Sequence, residues 1–279
     1  MKRLRFFLIA VLLLTCSLWG LAACSVDMLV YPGSTMQLRD ANYDHQAQAI
    51  TIPAPDGTKL RGWFFNRGAN TPLVVMFGGN SMNIGAFTYI AAADTTRSYL
   101  LINYRGYGDS EGQPSEAAIV ADARHCIAHA RTQLAGSATP LYLVGFSLGS
   151  GVATQVAAAE QPDALVLICP FDSITAVACG MVPVLPHLLP IDSWDSASYA
   201  PRITCPVTIL RAQYDTIVPP DSTDALIRSF STPPTVKSYP ADHNSIFATP
   251  GFSQDIMKAL PPTPIPQSGK LSPSVNFLW

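Results

Sequence analysis

The sequence predicts an α/β fold, a mostly parallel sheet with helices on both faces, and three observations carry that prediction. Short apolar runs alternate with helix-patterned stretches through most of the 279 residues, the arrangement of consecutive βαβ units. The runs Leu73 to Phe77, Leu141 to Val144 and Ala164 to Ile168 are apolar throughout, as strands covered on both sides must be. Finally, Gly145-Phe146-Ser147-Leu148-Gly149 joins one of these runs to an Ala-rich segment, so a strand passes into a helix through a sharp turn that carries a serine. Side chains two positions either side of that serine would collide in so tight a turn, which is why both are glycine.

Taken in order, the chain starts with Lys2, Arg3 and Arg5, an apolar run from Phe6 to Leu14, and then Leu21-Ala22-Ala23-Cys24. This is the pattern of a secretory signal. It resembles the lipobox of bacterial lipoproteins, which implies removal of residues 1–23, lipidation of Cys24, and a place in the bacterial cell envelope. Ser25 after the cysteine would then favour the outer membrane in a Gram-negative cell. Cys16 is a poorer lipidation site, since Thr15 precedes it and the apolar stretch before it is short. The alternative is an uncleaved anchor, because Phe6 to Ala23 is about long enough to span a bilayer. Residues 24–46 show no sustained period, are interrupted by Pro32 and Gly33, and read as a tether, of which the roughly 20 residues from 25 to about 45 would reach about 65 Å if fully extended.

The domain occupies 47–260. Gln48 to Pro53 and Thr58 to Asn66 form a hairpin around Pro55-Asp56-Gly57. Leu73 to Phe77 is a strand ending at Gly78-Gly79-Asn80, Ile84 to Ala93 a helix, and Tyr99 to Asn103 a strand. Pro114-Ser115-Glu116 opens a helix reaching about Leu134, with proline and acid at its start. The strand at Leu141 and the helix from Leu148 to Ala159 follow, then strands Ala164 to Ile168 and Pro206 to Arg211, a helix Asp221 to Ser231, and the last strand, Thr235 to Tyr239. An excursion at about 170–204, rich in Pro and Leu, reads as a short apolar cap or a packed helical insertion, two readings that are compatible. The tail 261–279 is Pro-rich with few core-forming residues and is expected to be disordered.

Net charge is −2 and only 13% of residues are charged, so nothing here attracts nucleic acid. Cys126, Cys169, Cys179 and Cys205 form no C-x-x-C pair and the histidines do not cluster, so neither metal nor cofactor is expected and buried thiols are the default. His125 and His129, four apart on one helix, read as an exposed face. A monomer is expected.

A serine becomes a nucleophile when a base removes its proton and a carboxylate fixes that base's tautomer. After Ser147 there are two histidines. His187 lies among prolines of the excursion, whereas His243 follows the last strand on a loop at its carboxyl end. Asp215, after the strand Pro206 to Arg211, is the best placed acid; Asp172 and Asp242 are the others. The amide of Leu148 and the Asn80 loop would supply the oxyanion donors, with Gly78 and Gly79 letting backbone approach the substrate.

Phe77-Gly78-Gly79-Asn80, Tyr104-Arg105-Gly106-Tyr107-Gly108-Asp109-Ser110-Glu111-Gly112, the Ser147 turn, Tyr214-Asp215-Thr216-Ile217-Val218-Pro219 and His243-Asn244 together resemble the α/β-hydrolases. Within them the likeness is greatest to the Bem46-type, depalmitoylase-like group described as serine-aminopeptidase-like, and it covers roughly residues 48 to 250. The resemblance implies a catalytic triad of Ser147, Asp215 and His243, with the Tyr-Arg-Gly-Tyr stretch shaping the oxyanion loop. Gly78 stands where that group usually has histidine, and Ala241 where glycine is common. The expected activity is cleavage of a small acyl ester or thioester; peptide hydrolysis and a non-catalytic surface lipoprotein are the alternatives. Met181, Val182, Val184, Leu185, Leu188 and Leu189 of the cap favour short to medium apolar acyl groups.

Overall fold

One sheet of eight strands forms the centre of the fold, in the order β1-β2-β4-β3-β5-β6-β7-β8. The strands are β1 (Gln48–Pro53), β2 (Lys59–Phe65), β3 (Leu73–Phe77), β4 (Ser98–Ile102), β5 (Leu141–Phe146), β6 (Ala164–Ile168), β7 (Val207–Ala212) and β8 (Thr235–Tyr239). The computed structural model describes residues 30–35, 47–134, 139–181 and 191–261. Cys24, the cap residues 182–190 with His187, and the tail beyond Pro261 lie outside these, and nothing is described of the Met181 side chain. β1, β2 and β4 pair antiparallel, and every pairing from β4 through β8 is parallel. The expectation of a mostly parallel sheet is thereby borne out.

The central strands are those whose sequence is apolar on both sides: every residue of β3, β5 and β6 is buried, while β8 at the edge exposes four of five. Helices α1 (Thr88–Ala93), α2 (Glu116–Gln133), α3 (Leu148–Glu160), α4 (Ile174–Met181), α5 (Ser196–Tyr199), α6 (Pro220–Ser229) and α7 (Phe252–Ala259) complete the fold. Two apolar clusters, one on each face of the sheet, make up the core. α3 lies deepest, with all residues from Leu148 to Ala157 buried. Its approach depends on two glycines: a Cβ on Gly145 would lie 2.2 Å from the Gly149 oxygen, and one on Gly149 would lie 2.2 Å from the Phe77 oxygen.

Three elements differ from the expectations. The helix read over Ile84 to Ala93 begins as a 3-10 turn at Ile84–Phe87, because the Asn83 carboxamide accepts from the Gly85 amide and the Thr88 hydroxyl donates to the Gly85 oxygen. α7 was not legible as a helix, although Phe252 and Ile256, four apart, are its buried face. The third difference concerns the tether. Val30 and Tyr31 are only 8% and 2% exposed, and Pro32–Thr35 forms a 3-10 turn, so residues 30–35 belong to the folded body. A single turn is too short to show a period, which is why composition gave no sign of it.

The excursion after β6 is tied at both ends, by Ile174 N–H to the Ser193 oxygen (2.9 Å) and Ala197 N–H to the Asp172 oxygen (3.0 Å). Trp194 is fully buried against α3 beside Gly151. Within residues 191–202, α5 and a 3-10 turn at Ala200–Arg202 are helical.

Candidate active site

The loops leaving β3, β5, β7 and β8 meet at the carboxyl end of the sheet, where open α/β sheets bind ligands. Ser147 is the residue between β5 and α3. It has φ 51° and ψ −118°, a conformation that costs a non-glycine residue free energy and persists only where neighbours enforce it. The neighbours are explicit: the Ser147 amide donates to the Ile168 oxygen at 2.9 Å, and its own carbonyl accepts from the Ser150 amide at 2.8 Å and the Ser150 hydroxyl at 2.6 Å. The amino end of α3, with the Leu148 amide, begins immediately after it.

Asp215 and His243 meet across two loops. His243 Nδ1 is 2.7 Å from Asp215 Oδ2, and the other carboxylate oxygen accepts the amides of Ile217 (2.9 Å) and Val218 (2.8 Å). Both residues are buried. A carboxylate accepts, so Nδ1 donates and Nε2 is left as the acceptor, the tautomer a general base needs. Phe146 packs on the His243 ring at 5.0 Å between centroids and Phe247 stands edge-on to Phe146 at 4.8 Å, which limits ring rotation.

The other acids are engaged elsewhere. Asp172 Oδ1 accepts from the Ser222 hydroxyl at 2.6 Å, and Asp242 Oδ1 accepts the amides of Asn244 and Ser245 within its own turn. Those amide bonds hold the Asp242 carboxyl below the usual carboxylate range. His125 Nε2 contacts the Pro53 oxygen at 2.9 Å.

The Gly78-Gly79-Asn80 loop lies against the serine: a Cβ on Gly79 would sit 3.6 Å from Ser147 Cβ. Each of its carbonyls is held. Tyr104 donates its hydroxyl to the Gly78 oxygen (2.8 Å), the Met82 amide donates to Gly79 (3.2 Å), and the Tyr107 hydroxyl (2.9 Å) and Gly33 amide (2.8 Å) both donate to Asn80. Tyr104 and Tyr107 are themselves fixed edge-on at 5.3 Å, and Arg105 between them makes a two-pronged pair with Asp122, both bonds 2.7 Å. The Tyr-Arg-Gly-Tyr stretch thus holds the Gly78-Gly79-Asn80 loop from one side.

Sequence reasoning missed Cys169. It lies at the carboxyl end of β6 with φ 47°, and its sulfur, Asp215 and His243 have ligand atoms within 4.8 Å of one another. That is a possible cation donor set, but burial and the Asp215 charge push the thiol well above its ordinary range, so it stays protonated beside Asp215. The same reasoning missed Gly33. For Cys169 the one sequence signal is its position just after the run Ala164 to Ile168, near the level of Asp215 at the neighbouring strand's end; for Gly33 there is none.

An eight-stranded, mostly parallel sheet of this order, with its polar loops gathered at one end, defines an α/β protein of hydrolase architecture. The chain belongs to the alpha/beta hydrolase family, whose model matches residues 74–269. An uncharacterized protein of Mycobacterium tuberculosis, Rv2307c, is 32% identical over 189 residues, covering 66% of this chain and 67% of its own. The lysophosphatidylserine lipase ABHD12 of Danio rerio is 35% identical over 136 residues, covering 42% of this chain and 35% of the relative. Among solved structures, the Pyrococcus furiosus esterase Pf2001 superposes with a TM-score of 0.62 at 15% identity, over 80% of this chain and 95% of that one.

Proposed function

We propose that this chain is a serine hydrolase that cleaves a carboxylic ester or thioester through an acyl-enzyme on Ser147. Ser147 Oγ attacks the carbonyl carbon while its proton passes to His243 Nε2, and Asp215 holds the imidazole and the imidazolium it becomes. The oxyanion lies against the amides of Leu148 and Asn80. Collapse expels the alcohol or thiol, which takes the proton from His243, and water then repeats the sequence to release the acid. The observation that carries this reading is the buried 2.7 Å contact between His243 Nδ1 and Asp215, with the His243 ring packed on Phe146, the residue before the strained serine. The esterase and lipase names of the relatives support an ester substrate. The segment Tyr104 to Gly112 supports a place in the Bem46-type group.

A fluorophosphonate probe tests the reading: it should label the wild-type protein and leave Ser147→Ala unlabelled. Failure to label the folded wild type, or equal labelling of the variant, ends it. Leu21-Ala22-Ala23-Cys24 further supports export and a lipid anchor on Cys24, which would set the protein at a membrane surface. Intact mass should then give a chain that starts at an acylated residue 24, and Cys24→Ser should abolish the acylation; wild type retaining residues 1–23 would refute the anchor.

A further inference from the structure

We propose that the segment Val30–Thr35 is a positioning element of the oxyanion loop, acting through Gly33. The inference rests on the reading of Ser147 as the nucleophile. Two of the three residues in that loop are glycines, which have the widest backbone freedom of all residues, so the direction of the Asn80 amide is not set by the loop itself. Preorganised donors stabilise an oxyanion only when they need not reorient during reaction. Fixing the peptide planes either side of Gly79 and Asn80 fixes both residues, and the four donors to Gly78, Gly79 and Asn80 do this.

Three of those donors come from loops of the sheet, and the fourth comes from the segment that precedes the first strand. Gly33 has no room for a side chain: a Cβ would lie 2.3 Å from Tyr107 Cε1 and 2.7 Å from the Asn80 oxygen, against both other participants in the contact. Its neighbours are fastened independently. The Tyr31 hydroxyl donates to Asp192 Oδ2 and accepts from Trp194 Nε1 at 3.0 Å, while Asp192 also receives the Glu116 amide at 2.8 Å. Burial and the Asp192 carboxylate push the Tyr31 hydroxyl far above its ordinary value, so this donor stays protonated. The segment therefore bridges the excursion after β6, the start of α2 and the oxyanion loop, which a spacer would have no cause to do.

The test uses the full chain carrying Gly33→Ala and, separately, Tyr31→Phe, with wild type first shown to take the fluorophosphonate. With a p-nitrophenyl acyl ester, Gly33→Ala should lower kcat by about tenfold or more, a fraction of the loss on removing an oxyanion donor outright, and leave KM within about twofold. A trifluoromethyl ketone, whose adduct with the serine bears the oxyanion, should lose affinity by the same factor. Tyr31→Phe should move both in the same direction by less. Amide hydrogen exchange reads the clamp independently of chemistry: residues 78–82 should exchange faster in Gly33→Ala while β5 keeps its protection. Unchanged kcat and ketone affinity in an active protein, or unchanged exchange at 78–82, would overturn the proposal. Loss of labelling in wild type would strike the serine-hydrolase reading instead, and the exchange result would still decide the clamp.

Discussion

Asp215→Asn should lower turnover by about 10⁴, the size seen for the same change in a comparable triad, whereas Asp172→Asn should change it by no more than about threefold. The asymmetry follows from the loop. Oδ1 of Asp215 is committed to the amides of Ile217 and Val218, so the oxygen of an asparagine must keep that place and its NH2 must face His243. The ring is then driven to carry its proton on Nε2, where it cannot accept from serine. Asp172→Asn disturbs only a hydroxyl contact with Ser222. Steady-state kinetics on both variants, with thermal midpoints to confirm folding, check this; the opposite order would transfer the acid's role to Asp172.

Gly149→Ala should destabilise the fold by about 3 kcal/mol and remove most activity. Overpacking commonly costs about 1–3 kcal/mol because side chains can yield, but here the new methyl would meet backbone: the Phe77 oxygen and carbon at 2.2 and 2.5 Å and the Gly78 oxygen at 2.7 Å. Either α3 withdraws from β3 or the loop after β3 moves, and both separate the Leu148 amide from the Asn80 loop. Gly151→Ala should cost less, since its nearest neighbours are the rings of Phe171 and Trp194 at 3.0 and 3.1 Å. Urea denaturation gives the stabilities; a Gly149→Ala protein as stable and active as wild type would contradict the packing described.

The parts of the fold that the sequence made legible are those governed by local pattern. β3, β5 and β6 are continuous apolar runs because both their faces are covered, and the turn at Ser147 announces itself because glycine alone fits two residues either side. The order serine, acid, histidine together with the place of Asp215 and His243 at the carboxyl ends of strands nominated all three, and the structure brings Asp215 and His243 into contact. What was not legible depends on contacts between distant residues. Nothing in the stretch around Gly33 signals that its amide reaches Asn80, and the Cys169 thiol is placed beside Asp215 only by the pairing of two strands distant in sequence. The turn at Ile84–Phe87 depended on the Asn83 cap and Thr88 hydroxyl outweighing an otherwise helical pattern.

The docking of Val30–Thr35 also sets a distance. Between Cys24 and Val30 the chain advances six residues, which can span at most about 20 Å. A spacer free from residue 25 to about 45 would have allowed about 65 Å. Whatever grips residue 24 therefore holds the segment beside Asn80 by a short leash, and with the acyl anchor proposed above that end of the sheet would patrol a thin layer over the bilayer rather than the open fluid. Residues inserted after Thr35 would leave that standoff unchanged, and residues inserted between Cys24 and Val30 would lengthen it step by step.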